Sequence, residues 1–183
     1  TDRLHPCQSM ADVFTLFEKK GSLAGLKLAY VGDGNNVAHS LMLAAAKAGM
    51  KMAVATPPGY EPKKEIVDWA REDGQGTEFE LTITHDPVEA VREADAVYTD
   101  VWASMGQEAE KEIRKKIFSP YQVNRELFSK AKPGAYFMHC LPAHRGEEVT
   151  DEIIDSPNSI VYDQAENRLH VQKVIMMNLM GKK

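Results

Sequence analysis

Leu26-Lys27-Leu28-Ala29-Tyr30-Val31, followed at once by Gly32-Asp33-Gly34-Asn35-Asn36, is the stretch that decides the fold. Its first six residues form a short apolar-rich run of strand character, and the next five form a glycine turn. Val37 to Ala48, rich in Ala, Leu and Met, then reads as a helix that closes at Gly49. Strand, turn and helix make the first part of a βαβ unit. Downstream, Met52 to Thr56 is a second strand stopped by Pro57-Pro58-Gly59, and Glu61 to Glu72 is a charged-faced helix with Pro62 in its first turn. Phe79 to Thr84 alternates as a strand does, Asp86-Pro87 caps a helix through Ala94, and Ala96 to Thr99 is a buried strand ending at Asp100.

After a loop containing Gly106, helical segments are expected from about Glu108 to Lys116 and Tyr121 to Ala131. A strand at Tyr136 to His139, a short helix near Asp151, a strand at Ile160 to Tyr162 and a final helix from Glu166 to Leu179 complete the chain. Ahead of the first strand, Ser9 is an N-cap candidate, and Met10, Val13, Phe14 and Phe17 recur at helical spacing as an apolar face. Strands alternating with helices imply parallel pairing with crossover helices on both faces. The expected fold is α/β: a doubly wound, Rossmann-like parallel sheet of about five strands.

Composition narrows the function. The 183 residues suffice for one core, and 43% hydrophobic with 27% charged residues excludes disordered and fibrous classes. Twenty-two basic against 27 acidic side chains give a net charge of −5 without a basic stripe, so nucleic acid is not expected as a partner. No apolar run approaches the roughly 20 residues that span a bilayer, and the opening Thr1 to Pro6 has no signal-peptide core. A cytoplasmic location and no membrane partner are the expectations. Cys7 and Cys140 are expected to be free thiols.

In open parallel sheets, ligands bind beyond the carboxyl ends of the strands. The residues there are Asp33 to Asn36, Thr56, His85-Asp86, Asp100 to Gly106, His139 to Pro142 and Asp163 to Arg168. The glycine turn only weakly matches a dinucleotide fingerprint, since Val37 stands where the third glycine belongs and the second strand ends in Thr56 before two prolines. Asn35 and Asn36 suit the carboxylate and ammonium of a zwitterion, or else simply make a turn. Asp100 and Ser104 place a carboxylate and a hydroxyl on one loop, or an N-cap. Cys140 puts a thiol at a strand tip before Pro142, though buried structural cysteines are the commoner kind. The six histidines lack metal-ligand spacing, so no metal is expected, and Met176, Met177 and Met180 are assigned to core or domain contact.

Five motifs in order, His5-Pro6-Cys7-Gln8, Gly32-Asp33-Gly34-Asn35-Asn36, Asp100 through Ser104-Met105-Gly106, His139-Cys140-Leu141-Pro142 and Glu166-Asn167-Arg168, resemble those of ornithine carbamoyltransferases. Aspartate carbamoyltransferases share the HPxQ element but lack the Ser-Met-Gly loop and carry proline where Cys140 stands. The resemblance implies transfer of a carbamoyl group from carbamoyl phosphate to the δ-amine of L-ornithine, giving citrulline and phosphate in arginine metabolism, without a cofactor. By motif, Asn36, Asp100, Ser104 and Met105 would hold ornithine, with Cys140 and Asp100 at the reacting amine. His5, Gln8, Cys140, Leu141 and Arg168 would contact carbamoyl phosphate. The resemblance further implies a homotrimer.

The family's phosphate-gripping Ser-x-Arg-Thr motif belongs to a preceding domain and has no counterpart in this sequence. The expected layout is an interdomain-type helix over 1–21, an ornithine-binding α/β domain over 22–165 and a C-terminal helix over 166–183. With the carbamoyl-phosphate domain absent, little turnover is expected. The competing assignments are a stand-alone amino-acid-binding module and a nucleotide-dependent oxidoreductase domain.

Overall fold

The computed structural model describes residues 1–103 and 110–181. The chain runs α1 (Pro6–Lys20), β1 (Lys27–Val31), α2 (Asn36–Ala48), β2 (Lys51–Ala55), α3 (Lys64–Asp73), β3 (Glu80–Thr84), α4 (Pro87–Val91) and β4 (Ala96–Thr99). It continues through α5 (Lys111–Phe118), a 3-10 turn (Ser119–Tyr121), α6 (Arg125–Phe128), β5 (Tyr136–His139), α7 (Asp151–Ile154) and α8 (Val161–Met180). The five strands pair in the order β3-β2-β1-β4-β5, and every pairing is parallel. The doubly wound parallel sheet expected from the sequence is the one observed.

Alternation along the strands divides the core in two. Leu28, Tyr30, Met52, Val54, Tyr98 and Met138 face α2, α3 and Leu16 of α1. Ala29, Val31, Ala53, Ala55, Val97 and Phe137 face α4, α6, α7 and Tyr121. Most of these side chains are fully buried, which is why the central strands read as continuous apolar runs. Gly49 ends α2 in the left-handed conformation at φ 68°, as its position after Ala48 suggests.

Several local expectations are corrected. Ser9 does not cap the first helix, because α1 already starts at Pro6 and the Ser9 hydroxyl donates back to the Pro6 carbonyl at 3.0 Å. The apolar set expected on α1 is also split: Val13 packs against the core, but Met10, Phe14 and Phe17 are 48%, 38% and 48% exposed, while Gln8, Asp12 and Thr15 are buried. A polar stripe can face inward there because α8 answers it with Gln164 and Asn167. Ile160 to Tyr162 is no strand. Residues 158–160 exchange two backbone hydrogen bonds with Phe137 and then turn directly into α8, which leaves Tyr162 at the surface. The helices expected over 61–72 and 121–131 are shorter than read, and Met176, Met177 and Met180, expected in core or at a domain contact, are exposed and so not core.

Candidate functional site at the strand ends

Strand order reverses between β1 and β4, so the loops leaving these strands diverge and open a crevice, the usual ligand position in such sheets. Asn35 follows β1 and Asp100 follows β4. The Asn35 side chain accepts from the Val37 and Ala38 N–H groups, capping α2, while its Nδ2 donates to Asp100 Oδ2 at 2.7 Å. Tyr30 donates from its hydroxyl to the same Asn35 oxygen at 3.2 Å. Asp100 is only 5% exposed, and its Oδ1 accepts from the Val101 N–H at 2.8 Å and from Cys140 Sγ at 3.0 Å. A carboxylate, an amide and a thiol from three separated segments therefore meet at one rim of the sheet.

Burial pushes the Cys140 thiol well above its usual range, and the Asp100 charge pushes it further. At neutral pH it is a thiol held as a hydrogen-bond donor, not a thiolate. Leu141, next in sequence, sits at φ 55°, a left-handed conformation disfavoured by about 1–2 kcal/mol for a residue with a Cβ. Its N–H donates to His139 Nδ1 at 2.8 Å, which leaves the imidazole proton on Nε2. Nε2 lies 3.2 Å from Glu148 Oε1, with both side chains 0% exposed, and Glu148 Oε1 also accepts from the His144 N–H at 2.6 Å. His139 and Glu148 thus brace the turn that presents Cys140 and Leu141. Sequence inspection noted His139 only as a strand end and missed Glu148.

The HPCQ segment lies across the crevice. The His5 N–H donates to Ser40 Oγ of α2 at 2.7 Å, which fixes where the imidazole begins. Burial, then the positive charge of Arg168, lowers the His5 pKa, so the ring is neutral near pH 7 and can donate one hydrogen bond. Arg168 of α8 donates to Gln8 Oε1 at 2.6 Å, joining two expected site residues that are 160 positions apart. Asn36 lines a cleft of about 660 Å³ together with His5, Asp33, His39, Tyr60 and Arg114, and its amide donates to the Thr1 carbonyl at 2.6 Å. Asn36, Asp100, Cys140, Leu141, His5, Gln8 and Arg168 all belong to this end of the domain. Ser104 and Met105, the remaining expected residues, lie outside the described residues.

The cleft is charged but balanced. Arg114, 4% exposed, pairs with Asp33, donates to the Trp102 carbonyl and stacks over Tyr60 at 4.8 Å. Burial raises the Asp33 carboxyl to about 6 even though Arg114 opposes the shift. At Gly34, the backbone that a dinucleotide phosphate would approach is covered: an added Cβ would lie 2.3 Å from Pro62 N and 2.6 Å from the Tyr60 carbonyl oxygen. The glycine serves the close approach of the 60–62 loop, which explains the partial fingerprint. Ligand atoms of Asp100, His139 and Cys140 lie within 4.8 Å of one another. His139 Nδ1 already accepts from the Leu141 N–H, and Cys140 Sγ already donates to Asp100. Both cysteines are free.

Fold and rim together define a parallel α/β domain with a buried polar cluster at the switch point of its sheet, where ligands bind in folds of this kind. Comparison with known families matches residues 24–179 to the aspartate/ornithine carbamoyltransferase family, Asp/Orn binding domain. The chain belongs to that family.

Among curated proteins, it is 61% identical to an ornithine carbamoyltransferase of Thermococcus kodakarensis over 99% of its own length and 58% of that protein's. An anabolic ornithine carbamoyltransferase of Pyrococcus furiosus is 60% identical over the same shares. The solved structure of the Pyrococcus furiosus ornithine carbamoyltransferase superposes with a TM-score of 0.95 at 59% identity, covering 100% of this chain and 58% of that one. A structure of an N-acetyl-L-ornithine transcarbamylase variant, K302A complexed with PALAO, gives 0.85 at 34% identity, covering 96% and 56%. The chain therefore spans a little over half the length of the relatives it matches.

Proposed function

We propose that this chain is the ornithine-binding part of an ornithine carbamoyltransferase, acting in the conversion of carbamoyl phosphate and L-ornithine to L-citrulline and phosphate. The observation that carries the proposal is the Asn35–Asp100–Cys140 cluster at the switch point. A buried carboxylate beside a protonated thiol suits a diamine substrate and would repel the second carboxylate of aspartate. Cys140 and Asp100 act on the reacting amine: the Asp100 carboxylate receives or relays the proton that the δ-ammonium gives up, and Cys140 helps orient the lone pair so freed. Asn36 and Asp100, together with Ser104 and Met105, hold the ornithine.

The amine attacks the carbonyl carbon, the C–O bond to phosphate breaks, and phosphate leaves with its electron pair and takes up the proton that the attacking nitrogen loses. His5, as a neutral imidazole, donates to the carbonyl oxygen as negative charge gathers there, and Gln8, Arg168 and the Leu141 backbone complete that side. This chemistry uses no cofactor and no metal.

In this proposal residues 1–21 and 166–183 flank the binding domain of 22–165 and contact a carbamoyl-phosphate domain, which the relatives' additional length accommodates. The exposed Met10, Phe14 and Phe17 of α1 and the exposed Leu169, Met176 and Met177 of α8 support that contact. A homotrimer and a cytoplasmic location belong to the same proposal. The location is supported by the free thiols and by the absence, among the described residues, of a helix long and apolar enough to cross a membrane.

The test is to join this chain to the segment of the Pyrococcus furiosus relative that it does not cover and to measure citrulline. Citrulline formation from the fusion, with a loss of about 100-fold or more in Cys140→Ala, is expected for a group acting directly on the amine. An unchanged rate in Cys140→Ala removes the thiol from the chemistry. Submillimolar ornithine binding by the chain alone, with no turnover in the fusion, favours a binding module instead.

A further inference from the structure

Asp12 is a fully buried carboxylate that the proposed reaction does not use. Its Oδ1 accepts from Gln8 Nε2 and from Gln164 Nε2, each at 2.8 Å, and its Oδ2 accepts from the Tyr98 hydroxyl at 3.1 Å. No cation among the described residues lies within ion-pair distance of it. An apolar side chain would fill the same place between α1 and the sheet at lower desolvation cost. What a carboxylate adds is the capacity to accept several hydrogen bonds at once.

The three donors come from three different parts of the site. Gln8 belongs to the HPCQ segment, and its own Oε1 accepts from Arg168. Gln164 uses its Oε1 to accept from the N–H of His139, the residue before Cys140, at 3.1 Å. Tyr98 lies two residues before Asp100 and stacks on Tyr30 at 5.9 Å, and Tyr30 in turn bonds Asn35. We propose that Asp12 is a positioning residue that ties the Gln8–Arg168 pair to the His139–Cys140 strand end, so that ordering one side of the crevice orders the other. The assignment of those sides to carbamoyl phosphate and to the amine rests on the function proposed above.

The charge state of Asp12 gives a handle on this coupling. Burial raises its carboxyl to about 6, against the opposing pull of Gln164, Gln8, Tyr98 and the more distant Arg168. The other ionisable groups in this field are Tyr98 of β4, Asp100 beyond it and Cys140 beyond β5. Protonation of Asp12 removes acceptor capacity and weakens its grip on the two glutamine amides.

The experiment is a pH titration from 5 to 8 of the isotope-labelled chain, following the Gln8 and Gln164 side-chain amides and the His139 backbone amide by NMR. The expected result is one shared midpoint for all three, abolished in Asp12→Asn. In Tyr98→Phe the midpoint should move upward, because the carboxylate loses a donor. A His139 amide that ignores the transition of the two glutamines overturns the proposal, as does a transition that persists in Asp12→Asn. If Asp12→Asn does not fold, an unmoved midpoint in Tyr98→Phe overturns it equally. No substrate is present in this test, so its failure leaves the carbamoyl-transfer assignment standing. Absence of citrulline from the fusion leaves the coupling standing.

Discussion

Cys140 Sγ donates to Asp100 Oδ1 across 3.0 Å, and that single contact joins the tips of two neighbouring strands, β4 and β5. Because burial, and then the Asp100 charge, holds the thiol protonated, Cys140 should react slowly with iodoacetamide at pH 8. In a Cys7→Ser background, Asp100→Asn should raise that rate, by about tenfold for each unit the thiol pKa falls. Equal rates in the two proteins would show that burial alone sets the thiol's acidity.

Asn35 has two tasks that substitutions can separate. Asn35→Ala removes the cap on Val37 and Ala38, which should lower unfolding stability by about 1 kcal/mol in urea titrations. Asn35→Asp keeps a capping oxygen but sets a second carboxylate against Asp100 where a 2.7 Å hydrogen bond stood. Its deficit relative to the parent chain should be large at pH 7.5 and shrink towards pH 5, as the two carboxyls come to share a proton.

Gly34→Ala should be destabilising by about 1–3 kcal/mol, since the new methyl meets the backbone of residues 60–62 and no flexible side-chain end. Thermal unfolding measures this directly. An unchanged midpoint would mean that the 60–62 loop yields without loss and does not pack on the turn as described.

The pH dependence of stability around Asp12 has a definite sign. Its carboxyl titrates at about 6 when folded, against an ordinary value of 3.8. Between those values the folded chain keeps a proton that the unfolded chain has released, so stability falls as pH rises through that window. The fall amounts to about 3 kcal/mol when complete. Relative to Asp12→Asn, the parent chain should lose about that much between pH 3.5 and 7 and then level off. The comparison cancels Asp33, which shifts in the same direction.

The sheet was legible because its strands are short apolar runs ended by residues that stop them: Gly32 after Val31, Pro57 and Pro58 beyond Ala55, and Asp86-Pro87 after Thr84. The rim was legible for the same reason, since a strand end names the residue that follows it. The orientation of α1 was not. Periodicity shows that Met10, Val13, Phe14 and Phe17 share a side, but it cannot show that Gln164 and Asn167, about 150 residues later, pair with the opposite side. The Ile160 segment misled because Ile160, Val161 and Tyr162 are β-formers by composition, whereas tertiary contact lets them make only one ladder hydrogen bond, from the Ile160 N–H, before helix begins. Glu148 escaped notice because its importance comes from burial against His139, which no local pattern reveals.

The polar seam between α1 and α8 bears on how the molecule tolerates drift. Two helices joined by grease can slide a turn past each other and find new knobs for old holes. Gln8, Asp12 and Thr15 facing Gln164, Asn167 and Arg168 behave instead like the teeth of a rack: a one-turn slip would unmesh every donor from its acceptor. The location of His5 in space is therefore set jointly by Ser40 and by side chains more than 150 residues downstream, and mutations that soften the far end of the chain should blur the near end of the crevice.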